Sequence, residues 1–447
     1  MEVEGDFYHH KKLKHMKELG STEPLLSSDN FSDQQAFQDI DDGQPKITLF
    51  RSVAVLTNII TGVGLLGIPY CFCSGLGTNL IVILLIAALS CFSFSILIDC
   101  AVSTGIIDYP RLINIAFPKH KLQWIPDLQV VLLFFGGAIL YLQFSSSMII
   151  SIFNGLRIDF NLNIPDFLTN RWFIVFVIQF VIDFPLVLLK SMSALSFVSL
   201  LSVVLIACYI AHSIYYFAKG IHDEGFDPDN KLVVFGFDLK HILPSLAVQA
   251  TSYTCHPSIF PTLVKLERPT KFRLNLVMIL VTLAASVLYL VGGIIPYLTL
   301  FSDILDPVVL NYYKNTLFTT VIKACYSVIL ILTAPMLIFT CRLSFHNLIF
   351  KSPMNTLKHN LLGISILILA ALIAVTVTKV SLVYSILGGI CAPLLVYIFP
   401  SLYFLRICKD GSKVKKIFSI VSLVVGILFI PVCLYDAIKS IISSIKE

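Results

Sequence analysis

The sequence predicts an all-α integral membrane protein with about eleven membrane-spanning helices. Three observations predict it: a composition too apolar for a water-soluble core, apolar stretches of spanning length from end to end, and a one-sided distribution of lysine and arginine. The chain has 447 residues, of which 57% are apolar and 13% charged, with a mean hydropathy of +0.87. The charged share is about half that of soluble domains, and folding in water could not hide so much apolar surface. A spanning helix needs roughly 20 apolar residues. Such stretches cover 51–73, 78–100, 127–154, 172–189, 192–218, 240–263, 274–300, 317–341, 359–378, 380–405 and 417–443. Only LKSMS separates the fourth from the fifth, so the count lies between ten and twelve.

Lysine and arginine set the orientation, because loops on the cytosolic side carry the excess. With a cytosolic N-terminus, 22 of the 32 fall on the cytosolic side and nine on the other, with Lys323 inside a span. The formal net charge of +5 is mostly this signal and needs no nucleic-acid partner. The eleven cysteines are scattered and form no metal-binding spacing; they read as small packing residues in a membrane core.

Residues 1–49 form a polar tail, HHKKLKHMK followed by STEPLLSSDNFSD, with too little apolar surface to fold alone. Its basic part could touch anionic lipid, and EPLLSS resembles an acidic-dileucine signal for sorting adaptors. Residues 50–443 form one transmembrane domain. The longest connection, 220–238, is acidic and reads as a solvated loop.

The first span carries NIITGVGLLGIPY over 58–70. Glycine costs about 1 kcal/mol in a helix interior relative to alanine, and Pro69 cannot donate to the helix ladder. Breaking a helix in lipid is tolerated only where the freed groups line a cavity or meet other protein. Half-helix amides point at a carboxylate, and free carbonyls hold a cation. Thr61, Gly62, Val63, Gly64, Leu65 and Gly67 are therefore substrate-binding candidates. Asn58, one turn earlier, is a cation ligand or a cap. The competing reading is close helix packing through small residues.

The sixth span repeats the pattern in LAVQATSYTCHPSIFP, 246–261. Gln249, Ser252, Tyr253 and Thr254 join the substrate-binding candidates, and Pro257 predicts a bend near His256. His256 is an intramembrane ionisable group suited to proton coupling, or it bonds a freed carbonyl. Interrupted first and sixth helices suggest two five-helix repeats, inverted relative to each other, with the eleventh span added. In the eighth span Thr333 precedes Pro335 and could complete a cation site with Asn58; its alternative is a hydroxyl bonded to its own helix. Lys323 could snorkel to the boundary. Asp183 could pair across helices, Lys190 reads as a cytosolic anchor, and Asp99 and Asp436 read as boundary groups.

No convergent His, Asp or Glu cluster points to an enzyme, and no charged pore ring points to a channel. NIITGVGLLGIPY, GIIDYP (105–110), PLVLLKSMSALS (185–196), CHPSIFPTLVKLERPTKF (255–272) and SILGGICAPLLVYIFPSLYFL (385–405) together resemble the amino acid/auxin permease family, within the amino acid–polyamine–cation superfamily, over about residues 45–440. The resemblance implies a LeuT-like 5+5 inverted-repeat fold and secondary transport of amino acids. It places the substrate carboxylate at Thr61–Gly67 with Gln249–Thr254 opposite, and it makes Asn58 and Thr333 look like the sodium ligands of sodium-coupled members. LLGIPY and IFPTLVKLERP lean toward the vacuolar and vesicular branch, which implies proton coupling in a vacuolar, lysosomal or other internal membrane. The resemblance implies no cofactor beyond a coupling ion, H+ or Na+. A sodium-coupled neutral amino acid carrier and an amino-acid sensor signalling through the tail are the alternatives.

Overall fold

The computed structural model describes residues 46–159, 161–189, 196–223, 232–236, 238–301, 304, 307–350 and 354–446. Residues 1–45 with EPLLSS, residues 224–231 and 237 of the 220–238 loop, and Lys190 lie outside the described residues. Fourteen helices carry the described chain: α1 (Leu49–Thr61), α2 (Gly64–Phe72), α3 (Leu76–Thr104), α4 (Leu112–Ala116), α5 (Trp124–Ile158), α6 (171–187), α7 (Ser196–Asp223), α8 (Leu239–Ser252), α9 (His256–Leu263), α10 (Lys271–Leu300), α11 (Leu317–Ile349), α12 (Thr356–Thr376), α13 (Val380–Ile407) and α14 (Lys413–Lys446). The one β pairing among the described residues is an isolated parallel bridge, Ile47 to Leu266.

Among the described residues eight helices are long and apolar enough to cross a membrane, and the bent pair α1–α2 would make nine. The other two expected spans correspond to α6, whose 171–187 run is short, and to the interrupted pair α8–α9. Helix starts follow side-chain caps, which satisfy first-turn amides. Thr48, Thr270, Thr316 and Asn355 each accept from the amide three residues on, opening α1, α10, α11 and α12.

The packing sorts the helices by what surrounds them. The longest, α5, runs against α11 in the most extensive helix pairing of the fold. The most hydrophobic stretch of α13 is 83% buried, while that of α14 is 22% buried and presents Ile417, Val421, Val424 and Leu428 outward. Since both stretches are strongly apolar, α13 is core and α14 faces lipid. Two π-helical stretches, Leu387–Cys391 and Pro393–Ile398, interrupt α13. There Gly388 rides on the α8 backbone: a Cβ at this glycine would lie 2.5 Å from the Ala247 Cα. Backbone cannot move aside as a side-chain tip can. Gly388→Ala is therefore expected to destabilise by about 1–3 kcal/mol, the usual cost of overpacking. A lowered thermal midpoint of the purified protein checks this; an unchanged midpoint would mean that α8 and α13 lie farther apart.

Several charged residues sit otherwise than the sequence suggests. Lys323 does not snorkel: it is wholly buried and donates to Ser151 Oγ (2.9 Å) and Asn315 Oδ1 (2.7 Å). Arg342, which the sequence assigns to a loop, is buried in α11 and donates to the Val187 carbonyl at 2.8 Å. Asp183 pairs with nothing; both carboxylate oxygens are buried without a hydrogen-bond partner among the described residues. Asp99, at the end of α3, pairs with Lys271 (2.9 Å) and Lys415 (2.5 Å) and so ties α3 to the starts of α10 and α14.

Candidate functional site

The two interrupted helices meet at their breaks. α1 stops at Thr61, the chain turns through Gly62 and Val63, and α2 leaves at 55° to α1. Gly62 has φ +29°, a region that L side chains rarely adopt. Space is closed there too, since a Cβ on Gly62 would lie 2.7 Å from the Tyr141 hydroxyl. Pro69 is not the breaker: it lies inside α2. α8 stops at Ser252 and α9 starts at His256, with Pro257 in its first turn, where a missing N–H costs no helix bond.

Tyrosine hydroxyls take the carbonyls that the breaks expose. The Tyr289 hydroxyl on α10 lies 2.7 Å from the Ile60 carbonyl and 2.8 Å from the Ser252 carbonyl. One phenol thus clips the ends of α1 and α8 together, its single proton serving one carbonyl at a time. Tyr384 on α13 donates to the Val63 carbonyl at 3.3 Å. The Gly64 and Leu65 amides open α2 and have no acceptor within their own helix.

Most of the sequence-predicted substrate residues are packed and hydrogen-bonded within this junction. Gly64 lies against α8, where a Cβ would come within 2.6 Å of Ser252 Oγ. Thr61 donates to the Thr57 carbonyl, Ser252 to Val248 and Thr254 to Ala250, each at 2.7–2.8 Å. Gln249 Nε2 donates to Asn79 Oδ1 at 2.8 Å, and the Tyr253 hydroxyl is 2.8 Å from Ser286 Oγ. Val63 and Leu65 are buried, and Gly67 faces the Tyr384 hydroxyl.

A cavity of about 170 Å³ lies on the other side of the α1 end, between α1, α5, α7, α9 and α11. It brings Asn58, Gly62 and Thr333 together, with Tyr141, Ser202 and Ser258 also in its wall. Thr333 and Ser202 donate to the Ile329 and Val198 carbonyls at 2.7 and 2.8 Å, which leaves their oxygen lone pairs for a ligand. The Asn58 side chain has no hydrogen bond to the described residues. Among the described residues no Asp, Glu or His lines this cavity. The wall is apolar with neutral oxygens, a donor set suited to an alkali cation or an ammonium group. His256 lies apart from it, wholly buried and stacked on Phe94 with ring centroids 4.2 Å apart, and neither ring nitrogen has a hydrogen-bond partner among the described residues.

Sequence reasoning missed Tyr141, Tyr289 and Tyr384. A buried phenol needs a partner for its hydroxyl, but the sequence carries no signal that tells these three from tyrosines directed to lipid headgroups.

Two helices broken at facing points, inside a bundle whose outer helices are apolar, define a LeuT-like membrane carrier. The solved structure of MhsT in complex with L-phenylalanine shares this fold at a TM-score of 0.56 and 14% identity, over 87% of this chain and 98% of that one. Residues 45–439 match the family described as Transmembrane amino acid transporter protein, and the chain belongs to that family. It is a transporter and not an enzyme. Similar proteins include the "Putative sodium-coupled neutral amino acid transporter 11" of Bos taurus, 24% identical over 88% of this chain and 84% of the relative. Sodium-coupled neutral amino acid transporter 4 of Pongo abelii is 22% identical over 87% of this chain and 84% of its own length.

Proposed function

We propose that this chain is a secondary active carrier of a small amino acid and that sodium, bound in the cavity between α1 and α11, is its coupling ion. The observation that carries the reading is the meeting of Asn58 and Thr333, far apart in sequence, in one oxygen-lined cavity beside the Gly62 break. The described residues of that wall include no carboxylate or imidazole, which favours a bound metal cation over a proton, and both curated relatives have sodium coupling in their names. The substrate carboxylate takes the α2 amides of Gly64 and Leu65. The ammonium takes carbonyls at the ends of α1 and α8, displacing the Tyr289 hydroxyl. Sodium stabilises the α1 end in the state that accepts substrate, so ion and amino acid bind with mutual gain.

Uptake by proteoliposomes, with sodium and proton gradients imposed in separate vesicles, tests the coupling. Uptake should follow sodium. Asn58→Ala and Thr333→Ala should each raise the half-saturating sodium concentration about ten-fold or more, a loss of about 1.4 kcal/mol. An unaltered sodium response in both variants would remove the cavity from coupling. Uptake driven by a proton gradient alone would favour the second reading, proton coupling, which the partnerless buried Asp183 and His256 support. Substrate binding without flux would favour a sensor. For the compartment, the dileucine-like EPLLSS supports a vacuolar or lysosomal membrane with the N-terminus in the cytosol; imaging the carrier with both leucines replaced by alanine tests it.

A further inference from the structure

A second cavity, of about 450 Å³, opens at the end of the bundle where α5 finishes and α6 and α11 begin. Ser147 and Ser151 stand in its wall one turn apart on α5. A serine inside a helix commonly donates to the carbonyl one turn back, as Ser145 does to Tyr141 at 2.7 Å. Ser147 and Ser151 instead accept from cations: Ser147 Oγ from Arg171 Nη2 at 2.7 Å, Ser151 Oγ from Lys323 Nζ at 2.9 Å. A hydroxyl that accepts keeps its own proton to give, and neither proton has an acceptor among the described residues.

Lys323 sharpens the point. Burying an ammonium costs several kcal/mol or more, unless an opposite charge or ample hydrogen bonding offsets it. Among the described residues its partners besides Ser151 reduce to Asn315 Oδ1, and the Asn315 amide donates in turn to Asp159 at 3.1 Å. The carboxylate in this network is therefore one amide away. No carboxylate among the described residues lies within ion-pair distance of the ammonium.

We propose that this cavity binds a small monovalent anion, a carboxylate or a halide, on the Ser147 and Ser151 hydroxyls with Arg171 and Lys323 behind them. Hydrogen bonds to an ionised acceptor are roughly twice as strong as neutral ones, and both serines line one cavity large enough for an anion and its remaining water. The site is separate from the broken helices, so the failure of either assignment leaves the other standing.

The test is the thermal midpoint of the purified wild-type protein at constant sodium, with gluconate replaced stepwise by chloride or by acetate. A saturable rise with chloride identifies an inorganic-anion site. A rise with acetate alone identifies a carboxylate site, hence an outer subsite for the amino acid. A rise with both identifies an unselective anion site. No saturable rise with either overturns the proposal, whatever the variants do. The Ser147→Ala/Ser151→Ala double variant keeps both cations and should raise the half-saturating anion concentration about ten-fold or more; wild-type saturation in a folded double variant would place any anion site elsewhere and sink the assignment.

Discussion

Gly64→Leu should abolish uptake, and even Gly64→Ala should lower it severely. The first side-chain carbon at residue 64 would meet Ser252 Oγ at 2.6 Å and Ser252 Cβ at 2.9 Å, with the Tyr289 hydroxyl at 3.1 Å. Ser252 Oγ could rotate away, but its Cβ is fixed by the end of α8. The collision would separate α2 from α8, and overpacking of this kind costs about 1–3 kcal/mol. Two causes of lost uptake can be told apart. If packing is the cause, Gly64→Ala/Ser252→Gly, which deletes the colliding atoms, should regain a large part of the alanine variant's lost uptake. If residue 64 is glycine because substrate lies on its backbone, the double variant should stay as inactive as Gly64→Ala, with weakened substrate binding. Full uptake by Gly64→Leu itself would mean that neither contact is made.

Tyr289→Phe should cut uptake at least about ten-fold while leaving a folded protein. The phenol hydroxyl sits between the carbonyls at the ends of α1 and α8. Phenylalanine fills the same volume, so no cavity forms. The loss is confined to one hydroxyl, and leaving a buried acceptor unsatisfied costs about 1–3 kcal/mol. That cost falls on the closed arrangement of the two breaks, in which Tyr289 serves them. The readout is uptake together with substrate affinity. Weaker uptake with unchanged or tighter affinity supports a clip that substrate must displace. Unchanged uptake and affinity would make Tyr289 a bystander in the aromatic packing with Tyr253, whose ring centroid is 5.1 Å away.

The site was partly legible in the sequence. Gly62 could be singled out because glycine and polar residues in an apolar span have a local cost that something nearby must offset. The break indeed falls at Gly62, but the expectation that Pro69 helps to cause it does not hold. Proline is accommodated within α2, and also at Pro244, Pro296, Pro335 and Pro431 inside other helices. A proline removes one donor; a positive φ redirects the chain. Thr333 could be named because a polar residue near a proline stands out in an aliphatic helix, yet its hydroxyl bonds its own helix and only its lone pairs face the cavity. The tyrosines of the junction were not legible, because a tyrosine in a span looks the same whether its hydroxyl ends in lipid headgroups or on another helix's carbonyl.

The sequence by itself determined the solvent, the helical class, the two points of interruption and the family likeness. Each of these follows from composition or from short stretches whose meaning is local: apolar length, glycine conformation, a missing proline N–H. Only the tertiary structure decided which groups meet across the breaks. It set Gly64 on Ser252, put one phenol on two helix ends, gathered Asn58 with Thr333, and left His256 stacked on a phenyl ring. The physical reason is that a hydrogen bond or a close contact acts over a few ångströms. Residues hundreds of positions apart come within that range only when whole helices pack, and helix packing depends on every residue of both faces at once.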